Sequence, residues 1–145
     1  MRPSRGAAGA VVAAVLVLAV AGCSRSATTD DPGTPLALVS GDGDGFDMAA
    51  ELTGPVTVDA QGCVRLGGLL ALWPEGTGWD READRLRLPG GAVVARGESV
   101  AGGGGEVPGS IARAALADGQ PLDRCDWVGT VAMFNPGSDV VAATP

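Results

Sequence analysis

Carboxylates are the groups left to carry general acid–base chemistry in this chain, because histidine, lysine and tyrosine are absent and all ten basic residues are Arg. Without His there is no Ser-His-Asp or Cys-His catalysis and no usual zinc site. Without Lys there is no Schiff base and no P-loop lysine. Glycosidase-type chemistry survives that elimination, and it needs two carboxyl groups facing one groove. Glu75, Asp80, Glu82, Glu98 and Glu106 are the candidates, a set that any acidic domain offers. The expectation is therefore a protein that is not an enzyme and requires no cofactor. Asp42-Gly43-Asp44-Gly45-Phe46-Asp47 invites a calcium reading. Counted as an EF-hand loop from Asp42, it has Phe46 at the fifth position, Asp47 at the sixth and Thr53 at the twelfth, where an oxygen ligand, Gly and Glu are needed. Asp42, Asp44 and Asp47 thus remain weak metal candidates, with a solvated turn as the plainer account. Trp73-Pro74-Glu75-Gly76-Thr77-Gly78-Trp79 sets two indoles and a carboxylate around one turn. Trp73, Trp79 and Glu75 are the candidate ligand-binding residues, against the alternative that the indoles cap the core.

The elements that must position these groups are short. Apolar runs broken by Gly and Pro favour strands over helices. Val56-Thr57-Val58-Asp59 and Cys63-Val64-Arg65-Leu66 flank Ala60-Gln61-Gly62 as a hairpin. Leu69 to Trp73 is a continuous apolar run suited to a buried strand. Leu86-Arg87-Leu88 and Ala92 to Ala95 pair across Pro89-Gly90-Gly91, and Asp126 to Phe134 is the last strand. One helix is expected, with Ser110 as N-cap, Ile111 to Ala117 as its body, and Gly119 and Pro121 to stop it. The Gly102–Gly105 run reads as a flexible connector or bulge.

The N-terminus speaks of compartment. Arg2 and Arg5 precede an apolar run from Ala7 to Ala21, the layout of a secretory signal. That run falls short of the roughly 20 apolar residues a spanning helix needs. Val20-Ala21-Gly22-Cys23 resembles the lipobox of bacterial lipoproteins. The resemblance implies that Cys23 receives diacylglycerol, carrying palmitate-class chains, and becomes the mature N-terminus. It further implies a lipid anchor on the extracytoplasmic face of the cell membrane. Residues 1–22 are then the signal peptide, 23–35 a flexible tether, 36–135 the domain and 136–145 a loose tail. With Cys23 acylated, Cys63 and Cys125 remain, in a compartment that permits a disulfide. A redox pair usually reads C-x-x-C and a nucleophilic thiol usually borrows a base from His, so a structural bridge is expected. The formal charge of -7 opposes nucleic-acid binding. Expected partners are the membrane through the lipid, and an envelope protein or cell-wall glycan.

Gly62-Cys63-Val64-Arg65-Leu66, Trp73-Pro74-Glu75-Gly76-Thr77 and Gly97-Glu98-Ser99-Val100 with the glycine run together resemble small, uncharacterised secreted actinobacterial domains. The resemblance spans about Gly54 to Val128 and implies a compact β-barrel of OB-like type; it carries over no activity and no catalytic residue. The expectation is a mainly β, antiparallel, OB-like barrel with one short helix, acting as a non-catalytic binding or scaffolding module. A carboxylate enzyme on wall glycans and a calcium-stabilised structural domain are the alternatives.

Overall fold

The computed structural model describes residues 33–41 and 47–143. Among the described residues ten strands and one helix follow in chain order: β1 (Leu38–Val39), β2 (Ala50–Val58), β3 (Val64–Leu66), β4 (Leu69–Trp73), β5 (Gly78–Asp80), β6 (Arg85–Arg87), β7 (Val93–Ala95), β8 (Ser99–Pro108), α1 (Gly109–Ala114), β9 (Thr130–Phe134) and β10 (Val141–Ala142). Five of them close a barrel. β2 pairs antiparallel with β3, β3 with β4, β4 runs parallel to β9, β9 is antiparallel to β8, and β8 returns to β2. In chain order the ring strands neighbour one another as 1-2-3-5-4 and back to 1, the Greek-key closure of an OB-like barrel. The expected fold class is therefore the one observed.

The hairpin forms as expected, with Val58 opposite Val64 and Gly62 at φ 80° in the turn. Asp59 fastens that turn by accepting from the Cys63 and Gln61 backbone N–H groups and from Arg65 Nε at 2.6 Å. The continuous apolar run of β4 is explained by burial on both faces. Ala71 and Trp73 point into the barrel interior with Val56, Val64, Val100 and Phe134, while Leu70 and Leu72 join an outer cluster with Leu38, Val131 and Met133. A strand covered on both sides has no polar face to alternate with. Trp73 stacks on Phe134 with centroids 5.1 Å apart, and both are fully buried. β5, β6 and β7 form a separate three-stranded sheet whose Leu86 and Val94 pack into the same interior cluster. Cys63 and Cys125 are joined, with Cα atoms 5.9 Å apart, tying the β2–β3 turn to the loop between α1 and β9.

Four expectations need correction, the first being the last strand expected over Asp126 to Phe134: β9 begins at Thr130, and β10 follows it. The glycine run is neither connector nor bulge: it is the interior of β8, where the strand passes from β2 to β9. A Cβ on Gly104 would lie 2.4 Å from the Met133 carbonyl oxygen and 2.8 Å from Leu52 Cδ1. The absent side chains are thus what allows two strands to close on β8. The helix spans Gly109–Ala114, with Pro108 rather than Ser110 at its N-cap. It ends early because the Ala117 N–H donates to the Val39 carbonyl, and Leu116 bridges to Ser40. Tertiary pairing outcompetes the last helical turn. The 136–145 segment is not loose where it is described: β10 pairs with β8, and Val140 is buried against the interior cluster.

Candidate functional site

The turn that leaves β4 separates the two indoles. Thr77 N–H donates to the Pro74 carbonyl, and Gly76 sits at φ 85°, a conformation that L side chains rarely adopt. Trp73, before the turn, is committed to the barrel interior and is 0% exposed. It is therefore withdrawn as a ligand-binding residue. Trp79, after the turn, is only half-buried in β5. Its Nε1 donates to Asp84 Oδ1, and the Arg96 guanidinium lies 5.1 Å from the ring centroid. Asp84 in turn accepts from Arg96 at 3.0 Å. Asp84 adopts a positive φ of 50°, which Asp tolerates better than most residues. One edge and one face of Trp79 are thus engaged, by Asp84 and Arg96.

Trp79 forms one wall of a cavity of about 340 Å³. The segment after the tether supplies the opposite side through Thr34, Leu36 and Val39; Thr77, Gly78 and Gln120 complete it. Arg124 braces that segment by donating to the Thr34 carbonyl at 2.7 Å. Three of the lining residues, Thr34, Thr77 and Gln120, carry a side-chain oxygen that has no hydrogen-bond partner within the protein, but each of these atoms is sealed off from the cavity, with less than 1 Å² accessible. An unsatisfied buried polar atom costs about 1–3 kcal/mol, so folded proteins rarely retain it without a reason. No residue lining the cavity carries an ionisable side chain.

Other candidates fall elsewhere. Glu75 is exposed on the turn, and Glu82, Glu98 and Glu106 are also exposed on separate elements. Asp80 is occupied in structure: its carboxylate accepts from the Ala83 and Glu82 N–H groups and from Arg87. The Ala83 N–H and Arg87 are the main forces holding its pKa below the usual carboxylate range. Burial pushes the Asp59 carboxyl upward, but the Cys63 N–H, Arg65 and the Gln61 N–H together outweigh it and hold it low. Asp47 is exposed, whereas Asp42 and Asp44 lie outside the described residues, as does Cys23. Among the described residues no group of three or more His, Cys, Asp or Glu could hold a metal ion. A second cavity, of about 480 Å³, lies beside α1. Several of its polar groups are already engaged, with Arg113 on Asp123 and Trp127 Nε1 donating to the Leu122 carbonyl.

Thr34, Thr77 and Gln120 were not legible as site residues, because they come from three distant segments and belong to no motif. Trp79 was, through its place beside a turn in a chain poor in aromatic residues. Neither known protein families nor curated proteins nor solved structures yield a match to the chain.

Proposed function

We propose that this protein is a lipid-anchored binding module on the extracytoplasmic face of a bacterial cell membrane, non-catalytic, with its ligand seated beside Trp79. The observation that carries the binding role is a mainly apolar cavity of about 340 Å³ with the half-buried Trp79 as one wall, its indole N–H held by Asp84. Cavities of this size are typical of sites for small ligands or ligand fragments. The anchoring role rests on the basic start, the apolar run and Cys23. From Cys23 to Thr34 the chain spans roughly 40 Å at most when fully extended. The cavity therefore works within that distance of the membrane surface, because Thr34 is itself part of its wall.

Gly78 provides the test. It lines the cavity, and a Cβ built on it meets nothing within 4 Å. A photoreactive side chain installed at position 78 therefore leaves the backbone into open space. Position 90, equally open and outside the cavity lining, is the control. Illumination in intact cells should give a covalent adduct from position 78 and little from position 90. Equal adducts from both, or none from 78, would overturn the binding role. Anchoring is read separately: Cys23→Ala should release the protein from membranes, and the intact mass should show an acylated N-terminal Cys23.

A further inference from the structure

The loop between α1 and β9 presents apolar side chains beside the point where the chain from Cys23 enters the domain. We propose that this loop is a second, non-covalent membrane contact, with Leu122, Trp127 and Val128 entering the headgroup–acyl boundary of the bilayer that holds the anchor. This contact rests on the lipid anchor at Cys23 proposed above. Among the described residues five large hydrophobic side chains are exposed: Val93, Ile111, Leu122, Val128 and Val141. Leu122 and Val128 border the cavity beside α1, together with the half-buried Trp127. Val128 is 88% exposed, the most of the five. Water disfavours a valine held out in this way, whereas the interfacial layer of a bilayer favours it.

The loop is tied down on several sides while these side chains face outward. Val128 N–H donates to Asp126 Oδ1 at 2.9 Å, Gly109 N–H donates to the Gly129 carbonyl, and Cys125 is bonded to Cys63. Trp127 Nε1 donates to the Leu122 carbonyl at 2.8 Å, so the indole carries its own polar partner into an apolar phase. A loop already fixed loses little conformational freedom when it inserts. Its place relative to the anchor identifies the occupant as lipid. Arg124, inside this loop, donates to the Thr34 carbonyl at 2.7 Å, and only the eleven residues from Cys23 to Gly33 lie between that clamp and the acyl chains. The anchor therefore holds the domain at this loop. Val141 lies elsewhere: it pairs with Ala101 near the start of β8, whereas α1 follows the end of β8, roughly 25 Å further along an extended strand. The formal charge of -7 gives no attraction to anionic headgroups, and Asp123 is paired with Arg113, so the contact is apolar in kind.

The experiment uses the lipid-modified protein isolated from cells, with a photoreactive side chain in place of Val128 or, as control, of Val141. Each is reconstituted in phosphatidylcholine vesicles with and without phosphatidylglycerol. Illumination should give phospholipid adducts from position 128, little from position 141, and the same yield on both vesicle types. Leu122→Asp should cut the adduct from position 128 about tenfold, the equivalent of withholding one aliphatic side chain from an apolar phase. The comparison of positions 128 and 141 decides the matter even if Leu122→Asp fails to fold, because both side chains are exposed. Equal adducts from the two positions, none from 128, adducts on the anionic vesicles only, or an undiminished yield in a folded Leu122→Asp would overturn the contact. So would capture of a second copy or of another protein from position 128 in intact cells, in place of lipid. The intact mass of the same sample separates this contact from the anchor. An acylated Cys23 with no lipid captured at 128 leaves the anchor standing and removes the contact; an unmodified Cys23 removes both.

Discussion

Removing the Cys63–Cys125 bridge should destabilise the domain by about 4 kcal/mol, and the size of that loss can be worked from the chain itself. The two cysteines are 62 residues apart in sequence. In the chain-entropy model a cross-link of that span removes about 14 cal/mol/K from the unfolded state, which is about 4.3 kcal/mol at room temperature. Both sulfurs sit in the outer cluster with Leu36 and Leu70, so losing the bond also leaves two unbonded groups where a packed pair had been. A small domain holds about 5–15 kcal/mol in total, so the loss is a large share. Urea melts of Cys63→Ser, Cys125→Ser and the double variant provide the assay. Each single change should lower the midpoint by about 1.5–4 M, given the usual denaturant slopes. The double variant should cost about the same as either single one, since the pair acts as a unit. A single-variant loss below about 1 kcal/mol, or a double variant costing twice as much, would refute the reasoning.

Three further outcomes follow from the packing and the charges. Gly104→Ala should destabilise by about 1–3 kcal/mol or prevent folding, because the new methyl meets the Met133 backbone, which cannot yield as a side chain would; denaturant melts against Gly78→Ala as control measure it. Asp59 has a folded pKa held below its unfolded value, so the unfolded state takes up its proton first as pH falls. Its contribution is therefore full above about pH 4 and lost as pH drops through the lower folded value, so acid melts of Asp59→Asn and wild type should converge at low pH. Asp84→Ala should free the Trp79 indole N–H and one side of Arg96, seen as a red-shifted and more quenchable Trp fluorescence with the barrel still folded.

The sequence made the barrel largely legible, and what it hid has a common physical origin. The Val56–Leu66 hairpin could be read because Gly62 and the flanking strands are neighbours in the chain. β4 could be read as buried because both of its faces are apolar. Which indole enters the core could not be read from Trp73-Pro74-Glu75-Gly76-Thr77-Gly78-Trp79 alone. That parity is set by the register of β4 against β9, where Leu72 lies opposite Met133. The glycine run offered only an absence of side chains; the need for it arises at Met133, Phe134 and Val140, which close on β8 from later in the chain. β10 was hidden for the same reason, since two residues show no period and gain their place only by pairing with Val100 and Ala101. The cavity was hidden most completely, because its walls come from residues 34–39, 77–79 and Gln120, segments that only folding brings together.

The central claim is that the cavity beside Trp79 is the working site. Photo-capture from position 78 in intact cells, compared with position 90, tests it most directly. The account predicts a defined adduct from position 78 and little from position 90. Equal adducts from both positions, or none from position 78, would contradict it.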